Sequence, residues 1–226
     1  LGLLLVLGTG WALVAAIRGG LRDAPGRALL VLLGVALAWM WWIDTWAPPH
    51  NGDEIVNLFE NMVALLSPLR MTRYPHPAGA FNFNAATWAL TIGGSALVSG
   101  ADWLSHTAEW LLLRALDLLV IARGWSSLAW VAMAGVVAWG TRRLTNDPWL
   151  ALAAAAAAIG PDVSYATALS PYSAGIGLGY AALLVALASP PPPEPRGHIW
   201  RALGVRALAG ASAGTFYLAV PLAPLA

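Results

Sequence analysis

Residues 28–47 read ALLVLLGVALAWMWWIDTWA, and they settle the class of the chain. No charge occurs before Asp44, close to the end of the stretch. About twenty apolar residues in an α-helix rise about 30 Å, the thickness of the hydrocarbon core of a bilayer. Trp39, Trp41, Trp42 and Trp46 crowd one end, as aromatic rings do where hydrocarbon meets headgroups. Arg18, Arg22 and Arg27 stand ahead of the other end.

The rest of the chain repeats this character. Of its 226 residues 59% are hydrophobic and 10% charged, and the mean hydropathy is +0.67. A soluble domain carries about 25% charged residues, so a water-facing globule of this composition is excluded. Disorder is excluded as well, because apolar surface is in excess. A net charge of +1 leaves no basic stripe for a nucleic acid. The chain has no cysteine, which removes disulfides, zinc–thiolate sites and redox thiols.

Six stretches have the apolar character of a span: 3–17, 28–47, 125–141, 149–169, 173–188 and 207–226. Arginines punctuate alternate connections, at Arg18, Arg22 and Arg27, at Arg142 and Arg143, and at Arg196, Arg201 and Arg206. By the positive-inside rule these three connections are cytoplasmic, and the polar stretch 48–87 lies outside. Residues 87–100 are short for a span. Residues 103–122 repeat Leu104, Ala108, Leu111, Leu112, Ala115, Leu118 and Leu119 at helical spacing, which predicts an amphipathic helix on the membrane face. Pro190 to Arg196 reads as a stiff polyproline-type linker. The expected fold is therefore all-α, a polytopic transmembrane bundle of about six spans. It forms a single domain over 1–226, with amphipathic interfacial helices in the external loop 48–124. The chain opens on Leu1 and stops at Ala226 within apolar sequence, so a fragment of a larger integral plasma-membrane protein is expected.

The external loop holds the candidate chemistry. It begins PPHNGDE, residues 48–54, and Ile55, Leu58, Phe59, Met62, Leu65 and Leu66 then follow at helical spacing. That spacing predicts a short amphipathic helix ending before Pro68, with its apolar stripe on the bilayer. Asp53, Asn57 and Glu60 share the opposite face, and Glu54 sits to one flank. Asn51 and Glu54 also fit a helix cap with a capping box, so acids here have a structural use. Next comes LRMTRYPHP, residues 69–77, in which Arg70 and Arg73 suit anionic headgroups. Gly175-x-Gly177-x-Gly179, Gly210-x-x-x-Gly214 and the alanine run 153–158 read as close-packing surfaces. Asp44 lies near enough to the interface to reach water.

Taken together, Asp53-Glu54 after an aromatic-capped span and Tyr74-Pro75-His76-Pro77 about twenty residues later resemble the C-type membrane glycosyltransferases. The likeness is to dolichyl-phosphate-mannose protein mannosyltransferases and their bacterial relatives, and it covers roughly residues 28–226. Their first external loop carries an acidic motif and then a His-Pro-Pro-like motif. The resemblance implies an inverting transfer of a sugar from a polyprenyl-phosphate donor to an acceptor hydroxyl at the outer face. It implies Asp53 as general base and Glu54 as a group that orients the acceptor or supports a metal. Arg70 and Arg73 would face the leaving phosphate, and Tyr74 and His76 the sugar or phosphate. No divalent-metal motif has interpretable spacing, so metal dependence stays open. The chain departs from the family in two places: Ala78 replaces the second proline, and the turn 168–172 (Ala-Leu-Ser-Pro-Tyr) has no acid. Two other readings remain at this stage, a transporter or flippase-like protein and a non-catalytic relative of the transferases.

Overall fold

The computed structural model describes residues 22–46, 52–66, 78–159 and 195–215, together with Gly10, Val14, Ile17 and Arg18. Among them every regular element is a helix and none is a strand. Helix α1 spans Ala24–Trp46 and α2 spans Gly52–Leu66. Helix α3 covers Ala78–Ser99, α4 Trp103–Leu113 and α5 Ala115–Thr145. Helices α6, Pro148–Ile159, and α7, Pro195–Thr215, complete the set. Two of them, α1 over Ala24–Trp42 and α5, are long and apolar enough to cross a membrane. The expected spans 3–17 and 173–188 lie outside the described residues, apart from three positions in the first. So do the second half of 149–169 and the end of 207–226.

Local chemistry sets the helix ends. Asp23 caps α1: its Oδ1 accepts from the Gly26 N–H at 2.8 Å. Pro25 falls in the first turn, where a missing N–H loses no bond. Helix α3 stops at Gly100, whose φ of +67° is the left-handed conformation that glycine adopts without steric cost. The Ala101 N–H then closes on the Ala96 carbonyl at 3.1 Å, the long bond of a Schellman stop. Asp102 at once caps α4, accepting from the Ser105 N–H at 2.9 Å and the Ser105 hydroxyl at 3.0 Å. Those two bonds hold its carboxyl below the ordinary carboxylate range. Helix α5 also ends on a left-handed residue, Asn146 at φ 55°, whose N–H closes on the Arg142 carbonyl at 2.9 Å. Asp147 then caps α6 through the Trp149 and Leu150 N–H groups.

Packing makes two cores along α5. Toward its start, Leu118, Leu119 and Ala122 meet Trp88 and Ile92 of α3 and Trp110 of α4, and Leu58, Met62 and Leu65 of α2 join them. Toward its end, Val131 and Ala134 meet Leu33 and Met40 of α1. Ala138 packs on Ala151 and Ala155 of α6, where small side chains let the two backbones approach. Helix α7 packs on α3.

Several boundaries differ from expectation. The polar stretch 48–87 gives up its last ten residues to α3, which starts at Ala78. The amphipathic segment expected over 103–122 is two helices broken at Arg114, φ −122° and ψ 29°. Its second part belongs to α5, so the span expected from 125 begins at Ala115. The reason is which residues the core takes: α4 buries Thr107 and Trp110, while Leu104 and Leu112 stay exposed. Pro195 and Arg196, read as linker, open α7, and the helix expected from 207 starts there. The amphipathic helix expected after Asn51 is present as α2.

Helices α1 and α5 run antiparallel, and each end of the pair is fixed by one contact. The Arg142 guanidinium donates to Asp23 at the start of α1. Near the other end a Trp41 ring carbon lies 2.9 Å from where a Cβ on Gly124 would stand, so only glycine permits this approach. The Arg142 bond, aided by the Gly26 N–H, holds the Asp23 carboxyl below its ordinary 3.8. A lowered carboxyl contributes stability that is full above the unfolded value and is lost as pH falls through the lower folded value. Thermal midpoints of wild type and Asp23→Asn in detergent are therefore expected to differ at neutral pH and to converge below pH 3.8. A gap that stays constant across the acid range would show that the pair does not titrate as described.

Candidate functional site

The site begins where α1 ends. Five residues join Trp46 to Gly52, and six chain steps reach at most about 22 Å. The acidic start of α2 is thus tethered close to the Trp-rich end of α1. Asp53 and Glu54 occupy the first turn of α2, and their side chains lie outside the described residues. Arg70, Arg73, Tyr74 and His76 lie outside them altogether, as does the turn at 168–172.

How α2 is held is visible in its second half. Leu58, Met62 and Leu65 pack into the cluster built on Trp88, Ile92 and Leu118. Among its described residues, the apolar stripe expected on the bilayer therefore docks on protein, with Phe59 at 63% and Leu66 at 67% exposure facing outward. Asn61, which no stripe predicted, is fully buried. At the centre of the cluster the fully buried Trp88 donates its indole N–H to the Leu118 carbonyl at 2.8 Å. One side chain thereby joins α3, which carries α2, to the first turns of α5.

Beside it, α4 is fastened to α3 by a polar network. The Trp110 indole donates to His106 Nε2 at 3.2 Å, and Ser95 Oγ lies 3.0 Å from the same nitrogen. An indole N–H only donates, so Nε2 accepts and Nδ1 carries the ring hydrogen. That Nδ1 faces Glu109 Oε2 at 3.6 Å, beyond good hydrogen-bond length. Ser95, His106 and Glu109 have the order of a nucleophile, base and acid. Two features make the set a fastening instead. Trp110 draws on the lone pair a base would use, and Ser95 sits inside a helix whose N–H groups are already bonded, leaving none for an oxyanion. Arg114 lies over the Trp110 ring at 5.0 Å.

No protein-family model, curated protein or solved structure matches the chain.

Along α1, charge and aromatic residues separate, with Arg22 and Arg27 at its start and Trp39, Trp41 and Trp42 toward its end. From Gly124, beneath Trp41, to Arg142, against Asp23, α5 advances about 27 Å, close to the thickness of a hydrocarbon core. One end bears Arg22, Arg27, Arg142 and Arg143. The other bears the tryptophans of α1, the acids of α2 and the packed helices α3 and α4. At that second end a cavity of about 440 Å³ opens between α1 and α5, lined by Gly34, Leu37, Ala38, Trp41, Gly124 and Leu128. Arg123, one residue before Gly124, is 1% exposed. The sequence reading missed it because it fell between the segments ending at 122 and starting at 125. The available signal was a cation inside an otherwise apolar stretch. Among the described residues no three His, Asp or Glu side chains gather as a metal-binding set.

Trp88→Phe removes the indole bond and part of a fully buried ring, and is expected to cost about 2 kcal/mol. Melting followed in detergent should show this as a lower midpoint, with α2 released first in hydrogen exchange. An unchanged midpoint and unchanged α2 protection would show that Trp88 does not carry the α2–α5 connection.

Proposed function

We propose that this chain is a polytopic membrane glycosyltransferase of the C-type, with about six spans in its bundle. In this reading a sugar passes from a polyprenyl-phosphate donor to an acceptor hydroxyl at the outer face of the plasma membrane. The observation that carries it is the acidic first turn of α2, held by a docked helix at the Trp-rich end of a bilayer-length helix pair. A donor with a lipid tail and a polar head needs its reacting carbon at that level, where hydrocarbon gives way to water. The arginine-bearing end of the pair is cytoplasmic by the positive-inside rule, and α2 is then extracytoplasmic.

The chemistry follows from placement. Asp53 takes the proton of the acceptor hydroxyl, whose oxygen attacks the anomeric carbon from the face opposite the phosphate. The carbon–oxygen bond to phosphate breaks, and its electron pair leaves with the polyprenyl phosphate. Growing negative charge there calls for cations, supplied by Arg70 and Arg73. Glu54 orients the acceptor or supports a metal, and Tyr74 and His76 hydrogen-bond sugar or phosphate. The apolar cavity beside Trp41 suits a segment of prenyl chain. The acceptor is a hydroxyl of protein, lipid or glycan.

The test is turnover of polyprenyl-phosphate sugars by the purified full-length protein with a panel of acceptors. Asp53→Asn is expected to lower kcat by about 10²- to 10⁴-fold, the usual worth of a general base, with KM little changed. Wild-type turnover unaffected by the substitution would remove Asp53 from the mechanism. Absence of turnover across the panel would overturn the transferase reading.

A further inference from the structure

The polar network between α3 and α4 turns on one lone pair. His106 Nε2 accepts the Trp110 indole N–H at 3.2 Å, and Ser95 Oγ stands 3.0 Å from the same atom. In a neutral imidazole with its hydrogen on Nδ1, Nε2 is the site a further proton must take. Protonation and the Trp110 bond therefore exclude each other, since an imidazolium donates from both nitrogens. Trp110 is 7% exposed, so an indole that loses this acceptor is a buried donor left unpaired, a costly state. The imidazolium itself keeps partners. Its Nε2–H donates to Ser95 Oγ, and its charge draws in Glu109, whose Oε2 already stands 3.6 Å from Nδ1. Glu109 is shared with Arg114, 3.9 Å from its other oxygen, and that arginine covers the Trp110 ring. The His106 side chain is 11% exposed, so a proton can reach it from water.

The charged groups on the neighbouring elements are few. Helix α3, from Ala78 to Ser99, carries no titratable side chain. On α4, besides Glu109, Asp102 is engaged at the cap by Ser105. On α5, Asp117 is exposed, and Arg123 is buried about two and a half turns after Arg114. Glu60 of α2 lies on the opposite side of its helix from Leu58 and Met62, which join the cluster around Trp110. We infer that His106 is a proton-driven latch. The neutral ring holds Trp110 in the core, and the protonated ring turns to Ser95 and Glu109 and lets the indole go. The consequence reaches α2. Trp110 belongs to the same cluster as Trp88, Ile92 and Leu118, on which Leu58, Met62 and Leu65 rest. An imidazole changes charge between about pH 8 and about pH 5, so the core that positions the acidic helix loosens as pH falls through that range. On the outer face proposed above, the ring samples the pH of the surroundings and not that of the cytoplasm. The latch acts through the fold, so it operates whatever reaction the acids serve.

Nitrogen-15 NMR of the full chain in nanodiscs tests this, following the Trp110 indole N–H and the His106 ring nitrogens from about pH 8 to about pH 5. Comparison with Trp110→Phe assigns the indole signal among those of the 13 tryptophans. In wild type the Trp110 resonance should shift with the same midpoint as the His106 ring. Its exchange protection, corrected for the intrinsic effect of pH, should fall about ten-fold as the ring takes its proton. In His106→Gln an amide oxygen accepts from the indole at every pH, and both the shift and the loss of protection should disappear. An indole signal that stays constant while the His106 ring titrates would overturn the latch. So would a His106 ring still neutral at the acid end of the range, or a pH response that survives in His106→Gln. Should His106→Gln not fold, the two wild-type midpoints decide: coincidence upholds the latch and separation overturns it.

Discussion

The Trp88 indole, donating to the Leu118 carbonyl from a fully buried position, is the contact on which the acidic end of the molecule depends. Helix α2 has 15 residues, at the lower limit for an isolated helix in water, so tertiary packing must hold it. That packing is Leu58, Met62 and Leu65 against the ring and its neighbours. Because the same ring is bonded to the first turns of α5, the position of α2 is referred to the long helix. The acids in its first turn inherit that reference.

The opposite constraint is length. An α5 of 31 residues exceeds what a hydrocarbon core requires, and the surplus lies at its start, where α3 and α4 cover it. Arg142 holding Asp23 and Gly124 admitting Trp41 fix α1 beside the remainder. Between these two contacts the pair presents a bilayer-length apolar body with arginines at one end. Tryptophans and a packed polar-apolar module stand at the other.

Much of this was legible in the sequence because strong, local physics wrote it. The apolar run 28–47 became α1, Ala24–Trp46, and the spacing from Ile55 to Leu66 became α2. What periodicity does not reveal is which neighbour a face meets. The α2 stripe pointed to an apolar environment, and protein provided it where a bilayer was expected. Asn61 was invisible for the same reason, since an asparagine beside a stripe reads as solvent-facing until α3 covers it. The break at Arg114 also escaped notice. Leucines at helical spacing continue across it, and the interruption follows from Trp110 entering the core beside α5. Asp53 and Glu54 were conspicuous because charge is scarce. Arg123, equally scarce, fell between two segments and was passed over.

The central claim is that α2, carrying the acids, sits on the extracytoplasmic face while the Arg142 end of α5 sits on the other. The chain has no cysteine, so single thiols can be introduced without a background. Phe59, 63% exposed on α2, and Leu144, 55% exposed beside Arg143, are the natural positions. Intact cells producing Phe59→Cys or Leu144→Cys are treated with a membrane-impermeant maleimide. The account predicts labelling of Phe59→Cys in intact cells and of Leu144→Cys only after permeabilisation. The reverse pattern, or equal labelling of both before permeabilisation, would contradict it.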